Sequence, residues 1–166
     1  MSEAIVEVTD NFLSEEEFLE LSNFMTSRDF PWHFFEGRTY DNDGDFNFVH
    51  YFYNFKNNSD HMVSTYYDHV KPIIKKIKAK SFLRVIARLT TLGGRLDEVL
   101  HKDYDFECTT GIFYVNTNNG KTRFVDGSSV DSVANRLVTF PSTLLHTGTN
   151  HTDTKTRILI NFNYFK

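Results

Sequence analysis

Apolar and polar residues change their spacing several times along the chain, and each change marks an element. Ile5-Val6-Glu7-Val8 predicts a short strand, closed by the turn Thr9-Asp10-Asn11. From Ser14 the spacing becomes helical: Ser14 and Glu17 stand at capping-box distance, acids fill the first turn, and Phe18, Leu21 and Phe24/Met25 recur on one face. Asp29-Phe30-Pro31-Trp32 ends that helix, and Trp32, Phe34 and Phe35 begin a strand, with Trp32 read as a packing anchor. After a polar loop over 39–44, read as a solvated turn, Phe46, Phe48, His50, Phe52 and Tyr53 alternate as an aromatic strand. His50 reads there as a packed or hydrogen-bonded sheet residue. A second helix is predicted from Asn57 to about Lys80, kinked or restarted at Pro72. Met62, Tyr66, Val70 and Ile73 belong to its apolar stripe, and its lysines read as a solvated face.

The second half is nearly all strand and turn. Strands are predicted over 81–91, 98–103, 109–116, 122–125, 136–140, 143–147 and 156–164, separated by polar linkers such as Val125-Asp126-Gly127-Ser128. Short strands at this spacing predict a sandwich or barrel. The expected architecture is thus mainly β (α+β), with helical and strand support over about 1–80 and a β core over about 81–166. At 166 residues a single domain is expected, with a core large enough to need no staples.

Composition narrows the function classes. With 17 Phe and 8 Tyr, aromatic packing should dominate the interior. The single Cys108 excludes an internal disulfide and suits a reducing compartment. Met1-Ser2-Glu3-Ala4 has no basic leader, and no apolar run reaches membrane-spanning length, so a soluble, cytoplasmic protein without membrane partners is expected. A net charge of −4 and the lack of a basic-aromatic groove speak against nucleic acid as a partner.

Three places carry candidate chemistry. In a strand, side chains at i and i+2 share a face, so His101 and Asp103 can offer an imidazole and a carboxylate to one point. With His146 from a distant strand they would complete a two-His, one-carboxylate set, the arrangement of non-haem Fe(II) oxygenases. On the last strand, Arg157, Leu159, Asn161 and Asn163 share one face, opposite the apolar Ile158, Ile160, Phe162 and Tyr164. An inward Arg157 suits bidentate recognition of a carboxylate, although taken alone a structural ion pair is the preferred reading. Arg84 and Arg88, four apart on one strand face, are candidate contacts to a substrate, with pairing to surface carboxylates as the competing reading. His151 reads as a solvent-exposed loop residue.

These elements in this order resemble the prolyl 4-hydroxylase-like branch of the Fe(II)/2-oxoglutarate dioxygenases. The resemblance spans about 84–164 and rests on His101-Lys102-Asp103, Gly111-Ile112-Phe113-Tyr114-Val115-Asn116, Gly120-Lys121-Thr122-Arg123-Phe124, Phe140-Pro141-Ser142 with His146, and Arg157-Ile158-Leu159-Ile160-Asn161. It departs modestly: Val115 stands where the family has Leu, and Gly-Lys-Thr where the hydroxylases have Gly-Glu-Thr. It implies a double-stranded β-helix, or jelly roll, flanked by N-terminal helices. It assigns Fe(II) to His101, Asp103 and His146, and the distal carboxylate of 2-oxoglutarate to Arg157 with Tyr114, with Asn161 lining that pocket. The implied activity is hydroxylation of a C–H bond of a protein, amino acid or small molecule, using O2 and 2-oxoglutarate, with ascorbate as an optional reductant. A non-catalytic jelly-roll module with a residual metal site, and a cupin-type metalloenzyme, are the alternatives left open.

Overall fold

The two periodicities of the chain sort its elements into a large sheet, a helical layer on one side of it and a small sheet on the other. The computed structural model describes residues 6–37, 44–55, 63–93 and 99–166. In order these form β1 (Glu7–Thr9), α1 (Glu15–Thr26), β2 (His33–Glu36), β3 (Phe46–Asn54), a 3-10 turn (Tyr67–Val70), α2 (Lys71–Ile77), β4 (Ser81–Thr91), β5 (Thr109–Tyr114), β6 (Lys121–Phe124), β7 (Ser129–Asp131), β8 (Arg136–Pro141), β9 (His146–Gly148) and β10 (Thr156–Phe165). The large sheet runs β1-β8-β5-β10-β4-β3-β2, the small one β7-β6-β9, and every pairing is antiparallel. This is a jelly roll with N-terminal helices packed outside it. No helix among the described residues is long and apolar enough to cross a membrane.

Alternation along β10 builds both interiors. Ile158, Ile160, Phe162 and Tyr164 face the helical layer, packing with Val85 and Ala87 of β4, Phe113 of β5, Leu21 and Met25 of α1 and Ile73 of α2. On the opposite face a smaller cluster of Ile112, Tyr114, Phe124, Val138 and Phe140, with Leu159 against it, joins the two sheets. The capping box of α1 forms as expected, with Glu17 N donating to Ser14 Oγ at 3.3 Å and Ser14 N donating to Glu17 Oε2 at 3.0 Å. His50 is packed in the sheet, its ring nitrogens at 3.1 Å from the Pro31 carbonyl and 2.9 Å from Ser64 Oγ. Trp32 is anchored through Nε1, which donates to the Met25 carbonyl.

Several expectations are corrected. The long second helix is only the 3-10 turn and α2, because Pro72 sits in the first turn of α2, where its missing N–H leaves no hydrogen bond unmade. Its expected start over 57–62, the loop over 39–43, Ile5 and Glu98 lie outside the described residues. The lysines of this segment are exposed, as expected of a solvated face; Lys71 also pairs with Asp68 at 2.7 Å, and Lys76 donates to the Phe12 carbonyl at 2.8 Å. Residues 99–103 form no strand. His101 makes a single antiparallel bridge with His146, which adds one rung to the open edge of β9. Residues 129–131, placed in no predicted strand, form the short strand β7. His151 is buried, 2% exposed, because Asn119 pulls the connection before β10 inward by bonding both Thr152 and Asp153.

Candidate active site

His101 and His146 meet through main-chain pairing. His101 N donates to the His146 carbonyl at 2.9 Å and His146 N returns the bond at 3.0 Å, which sets the rings 4.6 Å apart. Asp103 follows with its N–H on the Ser142 carbonyl at 3.1 Å, so this pair of tethers brings His101 and Asp103 together without a regular strand. One ligating atom from each of His101, Asp103 and His146 lies within 4.8 Å of the others. His146 Nδ1 is 2.9 Å from the Leu144 carbonyl and must carry its proton to make that bond, leaving Nε2 for a metal. His101 Nδ1 faces the Val99 carbonyl at 3.4 Å in the same sense.

The carboxylate is held more elaborately than the imidazoles. Asp103 Oδ2 accepts from Thr110 Oγ1 at 2.8 Å, Asn163 Nδ2 at 2.8 Å and Asn161 Nδ2 at 3.1 Å, while Oδ1 faces Arg84 Nη2 at 3.6 Å. Burial works against a charge on Asp103, but Arg84, His146 and the Asn163 and Asn161 amides outweigh it and hold the carboxyl well below the usual carboxylate range. Burial, then the neighbouring His146, pushes His101 down from its ordinary value. Both shifts favour the ligating forms, an ionised carboxylate and a neutral imidazole. Two imidazoles and one carboxylate on adjacent positions fit a divalent iron with open coordination sites.

A cavity of about 250 Å³ runs from this triad between the two sheets to Arg157. Arg157 is 3% exposed, with Nε donating to Ser132 Oγ at 3.0 Å and Nη2 to the Lys121 carbonyl at 3.3 Å. Those two contacts aim a planar group whose donors suit a carboxylate. Gly120 is required beside it, since a Cβ there would stand 2.9 Å from Arg157 Cδ. Tyr114 lies behind the cavity wall: its hydroxyl is 2.7 Å from Thr122 Oγ1, its ring 5.8 Å from Arg157 Cζ, and Thr122 is the residue that lines the space. Asn161 lines the cavity at the triad end, where its Oδ1 is buried without a hydrogen-bond partner. Arg84 and Arg88 both line it from β4.

Sequence reasoning brought together the triad, Arg157, Arg84 and Arg88, but assigned no role to Thr110, Asn163, Ser132, Gly120 or Thr122. Asn163 was findable, since it shares the face of Arg157 and Asn161 on β10. The others depend on which strands become neighbours.

The fold is that of the 2-oxoglutarate oxygenases, as comparison with solved structures shows. The prolyl-4-hydroxylase of Pseudomonas putida superposes with a TM-score of 0.67 at 14% identity, covering 99% of this chain and 94% of that one. The viral collagen prolyl hydroxylase of Paramecium bursaria Chlorella virus 1, solved as a 2-oxoglutarate complex, gives 0.60 at 14% identity over 95% and 94%. The non-haem α-ketoglutarate-dependent epimerase of nogalamycin biosynthesis, SnoN, gives 0.66 at 11% identity over 97% and 76%. No protein-family model matches the sequence, and no curated protein does.

Proposed function

We propose that this chain is an Fe(II)- and 2-oxoglutarate-dependent dioxygenase that hydroxylates a C–H bond of a substrate bound beside the metal. The observation that carries the reading is one cavity with the His101–Asp103–His146 cluster at one end and the buried Arg157 guanidinium at the other. A structural metal site has no need of a buried cation at the far end of its cavity. The iron, when bound with 2-oxoglutarate and O2, supplies the oxidising chemistry, with succinate and CO2 as co-products.

The protein's part is position and exclusion of water. His101 and His146 present their Nε2 atoms, and Asp103 is oriented by Thr110, Asn161 and Asn163. Arg157 holds the distal carboxylate of the cosubstrate, with Thr122 beside it and Tyr114 supporting Thr122. Leu159 and Ile112 give the passage between the two ends apolar walls. The likeness to prolyl hydroxylases supports hydroxylation, while the epimerase on the same fold leaves the reaction outcome to the substrate's placement.

Anaerobic titration with Fe(II) and 2-oxoglutarate, followed by charge-transfer absorption, tests the reading. The band is expected in the parent protein, absent in His146→Ala, and formed only at higher 2-oxoglutarate in Arg157→Ala. A folded parent protein with no band refutes the proposal and favours a non-catalytic binding module.

A further inference from the structure

The cavity wall continues beyond the residues given roles above, from β10 across β4 to β3, where Arg88, Thr90 and Asn47 line it. Arg88 pairs with Leu159 on one side and Val49 on the other, and Thr90 pairs with Arg157. Asn47 lies two residues before Val49, so all three side chains share the sheet face of Arg157 and Leu159. Asn47 is 1% exposed, and its Nδ2 donates to the Gly37 carbonyl at 2.7 Å. That bond orients the amide and leaves Oδ1 buried with no hydrogen-bond partner; Thr90 Oγ1 is buried in the same condition. Buried polar atoms are nearly always satisfied, so two such atoms on side chains lining one cavity point to a ligand. Asn47 stands two strands from β10, about 10 Å to the side at the usual strand spacing, in the row that Thr90 shares with Arg157.

The chemistry of this corner is specific. A guanidinium with a hydroxyl beside it suits a carboxylate. Asn47 Oδ1 can only accept, so it asks for an N–H or O–H donor. Asn47 continues the row of Thr90 and lies diagonal to Arg88, so a carboxylate held by the guanidinium and the hydroxyl has an acceptor next to it for a neighbouring donor. Building on the dioxygenase reading, we propose that the β3–β4 wall binds the molecule to be oxidised, and that this molecule is a free amino acid or a small analogue with a carboxylate next to a donor.

The test uses the protein loaded with Zn(II) and saturated with 2-oxoglutarate, observed through its arginine Nε–H NMR signals. Glycine, acetate and glycinamide are the probes, and the Arg88 signal is assigned by its loss in Arg88→Gln. Glycine is expected to move that signal saturably, and glycinamide to bind about tenfold more weakly. Asn47→Ala is expected to weaken glycine by roughly fivefold while changing acetate by less than about twofold, since acetate offers no donor. No saturable movement with glycine, equal binding of glycine and glycinamide, or displacement of 2-oxoglutarate by glycine would each overturn the proposal. Saturation by 2-oxoglutarate is established first. Failure there counts against the dioxygenase reading, and failure of the glycine arms afterwards counts against this subsite alone.

Discussion

Replacing Gly120 by Ala should damage cosubstrate binding without removing any group that meets the cosubstrate. The added Cβ would lie 2.9 Å from Arg157 Cδ, 3.1 Å from Arg157 Nε and 2.8 Å from Asn118 Oδ1. Ordinary carbon contacts begin near about 3.5 Å, so Arg157 must withdraw by roughly 0.5 Å. Asn118 cannot simply yield, because its Oδ1 accepts from Gly120 N at 3.0 Å. The withdrawal stretches the bond from Arg157 Nε to Ser132 Oγ from 3.0 Å to the edge of useful geometry, at about 3.5 Å. Losing that bond costs about 1 kcal/mol, and a misaimed guanidinium loses a comparable amount on its carboxylate. The expected result is a rise of about tenfold to a hundredfold in the 2-oxoglutarate Kd, read by calorimetry on metal-loaded protein. Overpacking should also lower Tm by about 2–10 °C. Gly111→Ala is the control, since its Cβ would meet its nearest neighbours at 3.5, 3.6 and 3.7 Å. A folded Gly120→Ala protein that binds metal and 2-oxoglutarate as the parent does would refute the placement of Arg157 in the clamp.

Two further outcomes follow from the same contacts. Thr110→Val and Asn163→Leu each remove a donor from Asp103 Oδ2, and Fe(II) affinity by competition with a chromophoric chelator should fall about tenfold to a hundredfold in each; unchanged affinity in both would show that Asp103 needs no such support. Burial, with a smaller contribution from His33, depresses the His50 pKa although the Pro31 carbonyl opposes this, so the unfolded chain takes up a proton near pH 6.5 that the folded chain resists. Stability should therefore fall as pH drops below about 6.5 and level off beneath the folded pKa, with a shallower slope in His50→Asn; parallel denaturation profiles for the two proteins would contradict the assignment.

What could be read directly from the residue order is what local physics controls. The capping box of α1 involves residues three apart, and period-two alternation along β10 separates Arg157, Leu159 and Asn161 from Ile158 and Ile160 whatever the strand's neighbours are. His101, Asp103, His146 and Arg157 stand out as candidates through their types and order alone. Local signals misled where long-range contacts decide. The apolar stripe that predicted a long second helix is shared between a 3-10 turn and α2. His151 sits in a polar stretch yet is buried, because Asn119, 33 and 34 positions from its partners Thr152 and Asp153, ties that stretch down.

Only the tertiary structure settles which strands lie side by side, and the second sphere of the site follows from that. β10 sits between β5 and β4, so Thr110 reaches Asp103 from one side and Arg84 from the other. The same order carries the cavity past Arg88 and Thr90 to Asn47 on β3. Sheet order is set by packing summed over the whole core, which no short stretch of sequence encodes. The residues of His101-Lys102-Asp103 state which ligands are offered; the sheets decide where they meet and what else faces the point of meeting.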